Sequence, residues 1–211
     1  MKLVSIHTGK PQTITWKGRE VTTSIFKKPV SGPVKVYIMG LESDSQSDLT
    51  IHGGLYKAVY AYPLEHYAWW KKNYPEHSFE LGAFGENLVT TGILESTANI
   101  GDVIKIGSTV LRISQPRFPC YKLGVKFDDT KMIVNFHRSM KSGFYFQVIK
   151  EGVIQSGDKI EILEKGGQTS ISDFIRAFTE RKTQKSLIAS ILKDKYLLDE
   201  WRPFFEQQLQ N

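Results

Sequence analysis

Alternation of apolar and polar positions dominates the first three quarters of the chain. Residues 13–16 (TITW) and 21–25 (VTTSI) are β-favouring runs separated by Lys17-Gly18-Arg19, which predicts a hairpin. Residues 34–38 (VKVYI) alternate again. Gly101-Asp102 and Gly157-Asp158 each feed an alternating strand, and residues 109–114 pair with the first of these across Gly107-Ser108, a two-residue II′-type connection. Residues 143–149 return to strand.

Helical periodicity is rarer. Residues 63–72 predict a helix with Pro63 at its first position, Glu65 in its first turn and Lys71 and Lys72 in its last. Its core-facing stripe is Leu64, Tyr67 and Ala68, which leaves His66 on the helix surface. Residues 129–141 also read as helix, and Lys27-Lys28-Pro29 begins a basic turn. The texture changes at Lys165-Gly166-Gly167-Gln168, where we place a boundary. Beyond it, three stripes predict three short helices: Ile171, Phe174, Ile175 and Phe178; Leu187, Ile188, Ile191 and Leu192; Trp201, Phe204, Phe205 and Leu209. Asp199 is the expected cap of the last. Many short strands with glycine turns predict a mainly β domain, barrel or sandwich, over residues 1–165, with a small three-helix appendage over 166–211.

At 211 residues, 40% hydrophobic and 24% charged, the chain has ordinary globular composition and length enough for a sizeable core. A single cysteine rules out an intrachain disulfide and points to a reducing compartment. The opening residues hold too short an apolar run for a signal peptide, and no stretch is long enough to span a bilayer, so the expectation is a cytoplasmic protein with no membrane partner. A net charge of +6 suits an anionic partner. Nucleic acid is disfavoured, because the basic residues are scattered and the tail carries Asp173, Glu180, Asp194 and Glu206 among its bases.

Chemistry concentrates in residues 114–123, SQPRFPCYKL. Pro116 and Pro119 restrict the backbone on both sides of Arg117-Phe118, so Cys120 is presented at a defined place. An unperturbed thiol has a pKa of about 8.5, and Arg117, Lys122 and a helix opening after Pro119 all favour the thiolate. That thiolate suits a nucleophile, a persulfide carrier or a soft metal ligand; a core-filling cysteine is the structural alternative. Gly53 and Gly54, between His52 and Lys57, fit either a close approach to a ligand or a tight turn entering a buried strand. In Gly85-Glu86-Asn87, Glu86 is either a site carboxyl or a structural one paired to a base.

These segments, with residues 23–30 (TSIFKKPV), Gly40-Leu41-x-x-Asp44-x-Gln46-x-Asp48, Ile51-His52-Gly53-Gly54, residues 84–88 (FGENL) and Ile100-Gly101-Asp102, resemble in order and spacing the MOSC family and its YiiM-type branch. The helical tail resembles the appendage of that branch; Ser43 and Ser47 depart from the glycine and alanine expected there. The resemblance implies a strand-rich, barrel-like fold that binds molybdenum cofactor (molybdopterin), whose metal is held by dithiolene sulfurs and a protein thiolate. It further implies an oxidoreductase that reduces N-hydroxylated small molecules and detoxifies base analogues such as 6-hydroxylaminopurine. Sulfur carriage by a cysteine persulfide, known elsewhere in the family, is the alternative. Under this reading Cys120 is the metal ligand, and Glu86 and Lys27 supply protons. Lys27, Lys28, Arg117 and Lys122 neutralise the anionic cofactor, Gly53 and Gly54 bring backbone N–H groups to it, and His52 and Asn87 bond its ring edges. No flavin, haem or iron–sulfur signature is present, so electrons are expected from a separate reductase. The tail stands equally as a homodimer contact, a donor dock or a cover for the site.

Overall fold

The alternating runs fold as strands in the computed structural model of the chain, which describes residues 1–46 and 53–210. First come β1 (Lys2–Thr8), the hairpin of β2 (Gln12–Trp16) and β3 (Arg19–Thr23), then β4 (Lys28–Val30), β5 (Val34–Tyr37) and β6 (Gly40–Leu41). A 3-10 turn at Leu55–Lys57 leads to β7 (Val59–Pro63), helix α1 (Glu65–Asn73) and β8 (Leu88–Thr91). Next are β9 (Val103–Ile106), β10 (Thr109–Pro116), helices α2 (Tyr121–Phe127) and α3 (Lys131–Ser139), β11 (Phe144–Lys150), β12 (Gly152–Ile154) and β13 (Ile160–Glu164). The tail holds α4 (Ile171–Thr179), α5 (Lys185–Leu192), a 3-10 turn at Asp199–Trp201 and α6 (Arg202–Gln210). Among the described residues no helix is long and apolar enough to cross a membrane.

Eight strands form one sheet in the order β13-β9-β10-β11-β7-β8-β1-β4. Every pairing in it is antiparallel except β7 with β8, which α1 connects as a crossover. The sheet curls until β1 reaches the chain entering β13: Leu3 N–H donates to the Asp158 carbonyl at 2.9 Å, and Ile160 N–H to that of Met1 at 3.1 Å. The fold is therefore the strand-rich, curled sheet with appended helices that the sequence predicts. One apolar cluster joins Leu3, Leu111, Ile113 and Phe146 of the sheet to Phe174, Ile188 and Phe205 of the tail. A second, aromatic cluster gathers Tyr62, Tyr67, Trp70, Phe84 and Phe136.

Four local expectations need correction. Pro63 ends β7, opposite Thr90, where a missing N–H is tolerated, and α1 starts two residues later. The buried face of α1 is Tyr67 and Trp70, with Ala68 exposed, because the larger aromatic surfaces gain more from leaving water. Residues Lys28–Val30 are an edge strand against β1, where proline is accommodated, and not a turn. In the tail the three apolar stripes face the core as read, but Asp199 opens the 3-10 turn and accepts from Arg202 Nε at 3.3 Å instead of capping α6.

The tail is tied down by one buried carboxylate. Asp194 accepts from the backbone N–H groups of Gln168 (2.9 Å), Thr169 (3.0 Å) and Tyr196 (3.0 Å). Gly167 is needed beside it, since a Cβ there would sit 2.3 Å from the Asp194 carboxylate. Replacing Asp194 with Ala leaves those donors unmatched and should cost about 3 kcal/mol. Urea unfolding checks this: the midpoint should fall while the slope stays unchanged.

Candidate active site

β10 delivers the thiol. The strand ends at Pro116, the chain runs through Arg117, Phe118 and Pro119, and Cys120 is the residue preceding α2, with extended backbone (φ −120°, ψ 177°). The prolines thus hand a half-buried sulfur to the start of a short helix. Around it lies a cleft open to solvent. Tyr60 of β7 and Tyr145 of β11 form one wall, and Ser24, Ile25 and Lys27 another. Gly85 stands at the rim with φ +79°, and a Cβ there would meet Ile25 at 2.7 Å, so that wall closes only around glycine.

The cleft is electropositive. Lys27, Lys57, Arg117 and Lys122 border it, against the carboxylate of Asp44. Arg117 is 6% exposed and lies over the rings of Phe136 (4.8 Å) and Tyr60 (5.5 Å), with Nη2 donating to the Phe84 carbonyl at 3.4 Å. Its Nη1 is buried and has no hydrogen-bond partner among the described residues. Burial opposes its charge, yet Tyr60, Tyr145, Cys120 and Glu86 together hold the guanidinium above its ordinary value. The coupling is reciprocal, so Arg117 favours the Cys120 thiolate.

On the cleft lining, Lys27 pairs with Asp44, and both side chains are nearly sealed, at 8% and 6% exposure. Burial pulls the Lys27 ammonium below its ordinary range, and Asp44 opposes this. Asp44 also accepts from Gly9 N–H and from Asn87 Nδ2, each at 2.8 Å, while Asn87 Oδ1 accepts from Tyr60 N–H at 3.1 Å. Lys126 donates to the carbonyls of Gly82 (2.8 Å) and Ile25 (3.0 Å). Burial is the main reason it is lowered to about 8, with Glu86 opposing and Lys27 adding. His7, buried on β1, is lowered to about 4 by burial and by the charges of Lys126 and Lys27.

Of the residues expected from sequence, Cys120, Lys27, Asn87, Arg117 and Lys122 meet at this cleft. Glu86 does not border it. Its fully buried carboxylate accepts from Tyr67 Oη, Gly82 N–H and Phe84 N–H (both N–H bonds 3.0 Å), so it organises residues 82–86 from behind the wall. Burial pushes that carboxyl up, while those bonds and Lys126 pull it back. Lys28 points to solvent from edge strand β4 and is not on the cleft. Gly53 and Gly54 are also off its lining: Gly54 precedes the 3-10 turn and donates to Gln46 Oε1 at 3.1 Å, the turn role. His52 lies outside the described residues. Sequence reasoning assigned no role to Asp44, Lys57, Tyr60, Tyr145 or Lys126; the spacing of Asp44 and Gln46 was its one available signal.

Among the described residues no three His, Cys, Asp or Glu side chains group to hold a metal ion, so a metal here would rest on Cys120 and on ligands it brings. A soft sulfur, several cations and a buried guanidinium with one nitrogen unpartnered among the described residues fit a large anionic group with its own sulfur ligands.

The chain is similar to several known proteins. Residues 48–161 match the MOSC domain. Protein YiiM of Escherichia coli (strain K12) is 34% identical over 172 residues, 81% of the chain and 75% of YiiM. A Gibberella moniliformis protein named reductase is 35% identical over 176 residues, 82% of the chain but 31% of the fungal protein. The crystal structure of YiiM from Geobacillus stearothermophilus superposes with a TM-score of 0.81 at 35% identity, covering 99% of the chain and 98% of that structure.

His7 provides a direct check on the buried floor. Between pH 6.5 and about 4 the unfolded chain binds a proton that the folded chain refuses, so stability falls as pH drops through that window. The loss should reach about 3 kcal/mol below pH 4. In His7→Gln that acid limb should flatten, as read by unfolding free energy against pH.

Proposed function

The chain belongs to the MOSC domain family, and we propose that it binds molybdenum cofactor at the Cys120 cleft and reduces N-hydroxylated compounds. The observation that carries this reading is the buried guanidinium of Arg117, which lines the same cleft as the only cysteine of the chain and whose Nη1 has no hydrogen-bond partner among the described residues. An isolated buried donor costs stability unless a ligand completes it, and an anion is its natural complement. The fungal relative named reductase supports the same class of reaction, although the chain spans about a third of that protein.

Cys120 would hold the metal through its thiolate, a soft ligand for a metal otherwise bound by dithiolene sulfur. Arg117 offers a planar fork to an oxyanion, and Lys57 and Lys122 add point charges at the mouth for a phosphate. When bound, the cofactor supplies a two-electron centre that an external donor protein recharges. Each turnover converts R–NH–OH, two electrons and two protons into R–NH2 and water. Lys27 holds a proton at Nζ on the cleft side, and burial loosens it while Asp44 fixes its position. Glu86 is too deeply enclosed for that duty and acts by shaping the wall. N-hydroxylated bases such as 6-hydroxylaminopurine are the anticipated substrates.

Protein produced in a host that makes the cofactor tests the reading. It should retain molybdenum and a pterin and reduce an N-hydroxylated base with a supplied electron donor. Cys120→Ser should melt at the same temperature and lose both metal and turnover, by about a hundredfold or more in rate. Metal-free protein that instead accepts a labile sulfur on Cys120 from a desulfurase would replace reduction with sulfur carriage.

A further inference from the structure

Gln115, inside the cysteine segment, has no part in the chemistry above, yet it is 1% exposed and its amide is matched at both ends. Its Nε2 donates to Glu200 Oε1 at 3.0 Å, and its Oε1 accepts from Trp201 Nε1 at 2.8 Å. Both partners belong to the 3-10 turn that opens the last helix of the tail. From there each reaches a residue of the cleft. Glu200 lies 3.8 Å from the Lys57 ammonium. The Trp201 ring is 5.3 Å from that of Phe118, which also packs on Phe178 at 4.3 Å. Lys57 and Phe118 both line the thiol cleft.

We propose that Gln115 and Trp201 are positioning residues of the thiol cleft, and that the C-terminal helices are therefore a working part of the site. Phe118 sits between Arg117 and Pro119-Cys120, flanked by two prolines that leave the backbone little freedom. A shift of its ring out of the tail's aromatic slot is passed on to the sulfur and is not absorbed along the way. Gln115 makes the two arms one unit, since losing its amide detaches both Glu200 and Trp201 from β10. The inference rests on Cys120 being the working group of the cleft, not on the reaction proposed for it.

Because the chain has one cysteine, alkylation by iodoacetamide at a fixed pH reports a single sulfur. Trp201→Ala should speed that labelling about threefold or more, as a clamped, half-buried group gains local openings. Gln115→Met, which keeps the side-chain length and loses both hydrogen bonds, should do the same. Trp201→Phe keeps a ring against Phe118 and should label within about twofold of wild type, a rescue by the conservative variant. Ile188→Val, a buried change in α5 outside this set of contacts, controls for general loosening of the tail and should leave the rate unchanged. Equal rates in wild type, Gln115→Met and Trp201→Ala would overturn the proposal, as would an acceleration in Ile188→Val equal to that in Trp201→Ala. If Trp201→Ala does not fold, Gln115→Met against Ile188→Val carries the test. Molybdenum content, read on separate samples, keeps failure of the functional reading distinct from failure of this one.

Discussion

A guanidinium taken out of water is expensive, and several parts of the structure converge to hold Arg117. Removing such a charge from solvent costs several kcal/mol unless it is matched by partners. Phe84 offers a carbonyl, Tyr60 and Phe136 offer ring faces, and the carboxylate of Glu86 lies close enough to help hold the cation. These partners come from β7, the loop before β8, and α3, so one buried cation requires three distant parts of the chain to arrive together. The cleft beside Cys120 is the space that remains when they do.

This arrangement also explains the place of Glu86. A carboxyl on the open cleft would offset the positive field that favours a thiolate. Set behind the wall, and bonded by two backbone N–H groups and Tyr67, the same carboxylate supports Arg117 from one side while the cleft keeps its cationic face on the other. The tail contributes a second constraint from outside the sheet. Phe118 lies in an aromatic slot made by Phe178 and Trp201, so the segment carrying Arg117 and Cys120 is fixed by the core on one side and by the helices on the other.

What the sequence disclosed was local chemistry. The turn at Lys17-Gly18 shows there because both residues adopt positive φ, which glycine accepts freely, and the Gly107-Ser108 hairpin shows for a similar reason. The stripes of the tail were legible because each is one helix face, and the setting of Cys120 because two prolines precede it within a few residues. Long-range pairing was not legible. Nothing near Tyr60 announces that it lies beside a cysteine far along the chain, and Lys126 reads as an ordinary surface lysine until α2 packs it against the carbonyls of Ile25 and Gly82. Pro63 misled because a proline before a helix and a proline ending a buried strand look alike in one dimension.

The floor behind the cleft poses a problem of charge. His7, Lys27 and Lys126 sit in one poorly solvated region, and three positive charges there would repel one another strongly. The structure resolves this unequally. His7 stays neutral at physiological pH, Lys126 is drawn down to about 8, and the Lys27 ammonium, pulled down by burial, is held up by its ion pair with Asp44. Paired in this way, Lys27 and Asp44 add little net charge, so the field at the sulfur comes from Arg117, Lys57 and Lys122. Arg117 is the buried member of that trio, and water and salt screen it least. The pair and the trio are therefore distinct: the pair is a buried ion pair beside the cleft, and the positive field of the cleft stays with Arg117, Lys57 and Lys122.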